Sequence, residues 1–303
     1  MKLPCLSASF TSPRSLCLAV CLCAASTVPA GTTSAAEPVE EALQRQLTDI
    51  GARVKHDQAG RIVAVSNFKP EGKLPAEAWD ALAATPTIRS LQGARLTPDD
   101  LRKVGRIASL ERVNLGGGTF ADEDFDSWKN LADLQTLHLH HMRGLDGTFL
   151  RHFVDSDSLH HVTIHNFRPF RAAGIPSLAR MPQLNSLHLT AVPTKLSDLK
   201  PLQGHPGLTE VTIGSDDVDA LVDFMATLPK IQSVELFQKK MAPVDEGIVD
   251  KLIGMKHLRH IRSVNLGFTQ EQHDQLVAAH PGLTIDMRKD DGGHTDSYPV
   301  KPF

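Results

Sequence analysis

Leu134-Gln-Thr-Leu137-His-Leu139, Leu159-His-His-Val162-Thr-Ile164 and Leu184-Asn-Ser-Leu187-His-Leu189 are three copies of one apolar phrase, Leu-x-x-Leu-x-Leu. Two more follow as Leu208-Thr-Glu-Val211-Thr-Ile213 and Ile231-Gln-Ser-Val234-Glu-Leu236. The first positions of these copies are separated by 25, 25, 24 and 23 residues. A period of this length is too long for one strand and too short for a domain, so each copy reads as one strand plus a return segment in a stacked solenoid. Looser copies extend the series, with strand starts at Ile88, Leu110, Leu134, Leu159, Leu184, Leu208, Ile231 and Ile261. The last step stretches to 30 residues, which the insertion Ala242-Pro-Val-Asp-Glu-Gly247 explains as a longer loop.

Between the strands lie helix-like segments, from Thr97–Val104 through Ala121–Leu131 and Gly147–Val154 to Thr269–Ala279. Several open on capping residues, as at Thr97-Pro98-Asp99-Asp100 and Asp122-Glu123-Asp124. N-terminal to the repeats, residues 37–87 read as a cap built from a helix within 37–54 with Gly51 as its C-terminal stop, a strand over Arg61–Phe68 and a helix over Pro75–Ala84 whose Trp79 points into the core. Leu283-Thr-Ile285-Asp-Met287 closes the repeat region 88–287, and the polar stretch 288–303 reads as a disordered tail.

Residues 1–36 read as an export signal. Lys2 and Arg14 precede the apolar run Leu16–Ala25, which is too short to span a bilayer, and small residues follow at candidate cleavage sites before Gly31 or Glu37. All four cysteines, Cys5, Cys17, Cys21 and Cys23, fall in this leader, so the mature chain is expected to carry no thiol and to rely on core burial alone. Leu18-Ala19-Val20-Cys21 is a poor lipobox because Val20 stands where a small residue is wanted, so lipid anchoring is not expected. The localisation implied is periplasmic or extracellular. Loss of Lys2 and Arg14 takes the formal charge from -3 to -5. A mildly acidic chain without a long basic run implies neither nucleic acid nor membrane insertion, and a monomer is expected.

On these repeats the chain resembles the leucine-rich repeat family, in particular the helix-backed, ribonuclease-inhibitor-like repeats of secreted bacterial proteins. The resemblance covers about residues 60–287. It implies an α/β solenoid with a curved parallel sheet, helices on the convex side, and a concave strand surface offered to a protein or peptide. One position departs from the family pattern. Three residues past the last Leu of the phrase the family commonly has an Asn or Cys that bonds neighbouring loops, whereas this chain has Gly118, Met142, Phe167, Val192, Asp216, Lys239 and Thr269. Irregular turns after the strands are therefore expected.

Side chains between the apolar positions of a strand alternate outward. They form three rows: Ser90, Arg112, Thr136, His161, Ser186, Glu210, Ser233, Ser263; then Gln92, Asn114, His138, Thr163, His188, Thr212, Glu235, Asn265; then Ala94, Gly116, His140, His165, Thr190, Gly214, Phe237, Gly267. The centre holds five histidines on three successive strands, His138, His140, His161, His165 and His188, with His140 and His165 as the pair expected within ligand-sharing range. With Thr163, Glu210, Glu235 and Phe237 they form the candidate binding surface. Three roles suit the histidines: ordinary polar lining, a pH-sensitive partner site titrating near the usual histidine range, or a transition-metal site.

Other features carry less. Gly116-Gly117-Gly118 follows a strand but lacks the Lys-Ser/Thr of a phosphate loop. Arg168, Arg171 and Arg180 suit a solvated loop, and Asp216-Asp217-Val-Asp219 a helix cap, better than ligand sites. Neither a Gly-x-Ser-x-Gly elbow nor a His-Glu-x-x-His pair occurs, so no catalytic residue and no bound cofactor is expected. The leading reading is an exported non-enzymatic binding module. A metal-binding protein or metal-dependent enzyme using the histidine patch, and a structural envelope protein, are the alternatives.

Overall fold

The repeated phrase places its three apolar side chains on one side of a strand, and in the computed structural model these positions line a continuous buried layer. The structure describes residues 39–167, 170, 172–192, 195–215, 217–289 and 298–299, all within the unit Pro38–Phe303. The leader over 1–36, Arg168, Arg171 and Asp216, and most of the tail over 288–303 lie outside the described residues.

The chain runs β1 (Arg53–His56), β2 (Ile62–Phe68), β3 (Ser90–Ala94), β4 (Arg112–Thr119), β5 (Thr136–Arg143), β6 (His161–His165), β7 (Ser186–Thr190), β8 (Glu210–Ile213), β9 (Ser233–Pro243), β10 (His260–Gly267), β11 (Thr284–Lys289) and β12 (Tyr298–Pro299). These strands lie side by side in sequence order in one sheet. Pairing is parallel from β2 to β11, and antiparallel only at the two ends, β1 with β2 and β11 with β12. The first helix, α1 (Val39–Asp49), ends just before Gly51, the expected stop, which takes a left-handed conformation at φ 76° and turns the chain into β1, a strand that was not anticipated.

The return segments form a second layer. At the ends of the chain they are α-helices: α2 (Ala76–Ala84), α3 (Pro98–Val104), then α5 (Val218–Ala226), α6 (Glu246–Gly254) and α7 (Gln270–Ala279), with only the short α4 (Ile175–Ala179) between. In the middle repeats they are 3-10 helices, at Asp122–Asn130, Thr148–Phe153 and Leu196–Leu202. Apolar spacing explains the difference. Phe125, Trp128 and Leu131, and likewise Leu199 and Leu202, recur every third residue, which a helix of three residues per turn eclipses on one face. In α5 the buried Val218, Leu221, Val222 and Met225 follow the three-and-four spacing of an α-helix. Phe125 stacks on Phe149 of the next repeat at 4.4 Å and also packs on Trp128, whose indole N–H donates to the Leu101 carbonyl of the preceding one. Trp79 is in the core as expected, edge-on to Phe68.

The turns after β3 to β7 share one bend, contrary to the expectation of irregular turns, which holds from β8 onward. Arg95, Gly117, His141, Asn166 and Ala191 each follow a strand's last outward residue in the repeats of β3 to β7, and each has positive φ, between 51° and 72°. The residue after the bend turns back inward, so Leu96, Met142 and Phe167 are buried where the family commonly keeps a polar ladder. Gly118 has no side chain for this slot. The ring of Phe120 occupies the space its Cβ would need. Loop-to-loop hydrogen bonding passes instead to buried polar residues at helix starts. Asp122 accepts the N–H groups of Asp146 at 3.0 Å and Phe149 at 2.8 Å, Asp100 accepts the N–H of Gly72, and the Gln272 amide donates to the Val244 carbonyl.

A second difference is register. Ile261 pairs with Val234, so the last repeat begins at Leu258, three residues before the expected start. Ser263 fills an inward position and donates to the Leu266 carbonyl at 2.5 Å, while Arg262 takes the outward position assigned to Asn265. The extra length lies within β9: Phe237 opposes Val264 and Ala242 opposes Leu266, so four residues of β9 face Asn265, whose Nδ2 donates to the Gln238 carbonyl.

Candidate functional site

Across β3 to β9 the outward rows hold the register expected. Arg112, Thr136, His161, Ser186 and Glu210 are successive partners, as are Asn114, His138, Thr163 and His188, and Gly116, His140 and His165. Inward neighbours are essentially fully buried and the outward side chains in between are mostly half-buried, so this face of the sheet is open. All five expected histidines share that face.

They divide into two groups. In the first, the rings of His138 and His161 lie 4.7 Å apart and those of His161 and His188 lie 5.1 Å apart. Ser186 separates His161 from Glu210 in the first row, and its small side chain leaves space over which the flanking groups and His188, two residues along β7, converge. The Ser186 hydroxyl donates to Glu210 Oε2 at 2.9 Å and lies 3.0 Å from His188 Nε2, which is 3.7 Å from Glu210 Oε1. His161 Nε2 is 3.0 Å from the Thr163 hydroxyl. One donor atom each of His161, His188 and Glu210 lie within 4.8 Å of one another, a spacing that can converge on a cation. His138 Nε2 is buried without a hydrogen-bond partner.

The second group contains a residue that row counting missed. The left-handed bend at His141 swings its ring against both His140, at 5.6 Å, and His165, at 5.2 Å. His165 Nδ1 is 2.7 Å from the Thr190 hydroxyl, and Asn166 Nδ2 donates to His141 Nδ1. The expected ligand pair, His140 and His165, is thus bridged by an imidazole, and the metal-competent trio is on neighbouring strands. One signal in the sequence points to His141: it occupies the slot held by Gly117 and Asn166 in other repeats, residue types that tolerate positive φ. Gly116 leaves room for this group, since a Cβ there would meet the His140 ring and push it aside.

Burial, seconded by neighbouring imidazoles, sets the protonation of the patch. His161 is pushed down to about 4 by burial and then by His138 and His188, with Glu210 opposing. His138 is lowered by burial and then by His188 and His140, His140 by burial and then by His141 and His165, and His165 by burial and then by His141. For His138, His140, His161 and His165 the expectation of titration in the ordinary histidine range is corrected accordingly: burial moves each below that range. Two histidines away from the patch show what a purely structural one does here. His205 and His280 are buried and reach the carbonyls of Met181 and Leu252, each at 3.1 Å.

The remaining expected site residues are not in the patch. Glu235 accepts from the Thr212 hydroxyl and belongs to an ion-pair ladder with Arg262, Asp286 and Arg288 across β9 to β11. Phe237 is half-buried opposite Val264. Toward β1 the face carries a depression of about 380 Å³ lined by Arg53, Lys69, Asn67, Gln92 and His140 among others.

Among solved structures, the chain is similar to an internalin (inlF) from Listeria monocytogenes, with 18% identity and a TM-score of 0.40 over 70% of this chain and 65% of that one. It is also similar to TLR13 in its complex with ssRNA13, with 14% identity and a TM-score of 0.47 over 71% of this chain and 30% of the receptor. The chain therefore spans less than two thirds of either protein, and the likeness is one of fold alone. No protein-family model matches the chain, and no curated protein is similar to it. The expectation of no nucleic-acid partner is withdrawn, because the TLR13 structure is a complex with ssRNA13. Among the described residues no helix is long and apolar enough to cross a membrane.

Proposed function

We propose that this chain is an exported, non-catalytic scaffold of the ribonuclease-inhibitor-like repeat kind, with a curved sheet whose open, concave face holds a protein or peptide partner. The observation that carries the reading is the difference between the faces. One face is sealed by the helical layer, and the other keeps half-buried imidazoles, hydroxyls and carboxylates in register across β4 to β9. Such a surface is already ordered by its strands, so little side-chain entropy remains to be lost on binding. It also changes character along the sheet, with Arg53 and Lys69 at one end, neutral imidazoles in the centre and the Glu235–Arg262–Asp286 ladder beyond, which gives a partner a direction.

The test is capture of a partner from an extracellular fraction with tagged chain, followed by hydrogen exchange of the isolated complex. Protection is expected on β4 to β8. Protection confined to α5, α6 and α7 would place the partner on the opposite face and refute the proposal.

A further inference from the structure

The trio on β6, β7 and β8 has a geometry that polar lining does not require. We propose that His161, His188 and Glu210 form a binding site for a divalent transition-metal ion of the zinc class, held by two imidazole nitrogens and one carboxylate oxygen with at least one coordination position open. The inference is independent of the protein-partner reading.

Three observations carry it. The first is placement. His161 and Glu210 stand on either side of Ser186 in one row, on strands about 4.8 Å from their common neighbour. Long side chains flanking a short one converge above it, and His188 closes the third side. Ligands on a tetrahedral ion with bonds of about 2.0–2.2 Å sit about 3.3 Å apart. His188 Nε2 and Glu210 Oε1 are 3.7 Å apart, and the whole trio falls within 4.8 Å, so rotations about side-chain bonds suffice to close it.

The second observation is support behind the ligands. Ser186 is buried and donates to Glu210 Oε2, which fixes the carboxylate and leaves Oε1 toward His188. Ring packing of His138 on His161 limits the latter's swing from the other side. Hydrogen bonds and packing of this kind orient ligands before an ion arrives. The third is ligand chemistry. Two imidazoles with one carboxylate suit zinc, nickel and copper, whereas calcium and magnesium call for oxygen ligands. The second histidine group lacks a carboxylate and has an imidazole where a ligand gap would be needed.

The experiment is titration of the full chain, made without a polyhistidine tag, with zinc chloride in competition with a chromophoric chelator. Cobalt absorption provides a second readout of ligand geometry. One saturable equivalent is expected. His188→Ala and Glu210→Gln should each weaken it at least tenfold, and Ser186→Ala by about tenfold, in the range for removal of a ligand's support. A His140→Ala/His165→Ala double variant should bind like the parent. Melting curves identify any variant that fails to fold, and Glu210→Gln, which preserves shape at a half-exposed position, then decides. No saturable binding, equal affinity in the parent and in Glu210→Gln, or a loss confined to the His140/His165 variant would each overturn the site.

Discussion

Replacing Asp122 by alanine tests whether buried carboxylates at helix starts have taken over the work of an asparagine ladder. Its two oxygens accept backbone N–H groups from the following repeat, Asp146 at 3.0 Å and Phe149 at 2.8 Å, and the residue is 7% exposed. Alanine leaves both donors without a partner. A stranded buried donor costs about 1–3 kcal/mol. The Phe149 N–H is fully buried and incurs that cost, while the half-exposed turn at Asp146 lets water repair part of the second, so about 2–4 kcal/mol is expected in total. Asp122→Asn keeps one acceptor oxygen and should lose about half as much. Urea unfolding of parent and variants gives the values directly. Because solenoid repeats couple to their neighbours, hydrogen exchange should accelerate first over residues 146–153. A loss under about 0.5 kcal/mol for Asp122→Ala, or acceleration spread evenly over the sheet, would refute the reasoning.

Other outcomes follow from the same geometry. Leu187, fully buried between Val162 and Val211 on the central strands, should cost about 2–5 kcal/mol as Leu187→Ala, and a variant melting like the parent would mean the inward register is wrong. In the metal-free protein the His161 ring should titrate near 4 by NMR, against about 6.5 in the unfolded chain. Above pH 6.5 both states are then neutral, and as pH falls toward 4 only the unfolded state gains the proton, so stability should decline across that window. Allowing for solvent at a half-exposed ring, His161 contributes on the order of 1–2 kcal/mol to the decline, with His138, His140 and His165 acting in the same direction. Stability that held constant or rose on acidification through this window would contradict it. Gly116→Ala should shift the ring resonances of His140 and leave those of His161 and His188 in place, since its Cβ enters only the His140 ring; unchanged His140 signals would show that the rings do not pack this way.

Repeat phase was legible wherever both inner apolar positions were present. Where Ser263 replaces the third, the neighbouring Ile261-Arg-Ser-Val264-Asn-Leu266 imitates the phrase, and only pairing of Ile261 with Val234 reveals the three-residue offset. The outward rows were legible because alternation is a local property of a strand. His141 was not, because its exposure on that face depends on a left-handed bend, which residue types hint at in Gly117 and Asn166 but not in Arg95 or Ala191. Row spacing singled out His140 and His165 as ligands. What distinguishes His161, His188 and Glu210 is the short side chain of Ser186 between them and its hydrogen bonds, a three-strand property that no single repeat shows. Depression of the imidazole pKa values likewise arises from burial among neighbours, which composition does not record.

The central claim is that this protein binds through the open face of its sheet. The most direct measurement compares the affinity of the captured partner for the parent, for a His161→Ser/His188→Ser variant, and for Lys251→Ala, which alters the opposite face by removing a cation held by Asp219 and Asp223. The account predicts at least a tenfold loss in the histidine variant, with its fold intact, and no change for Lys251→Ala. Unchanged affinity in the first and loss in the second would contradict it.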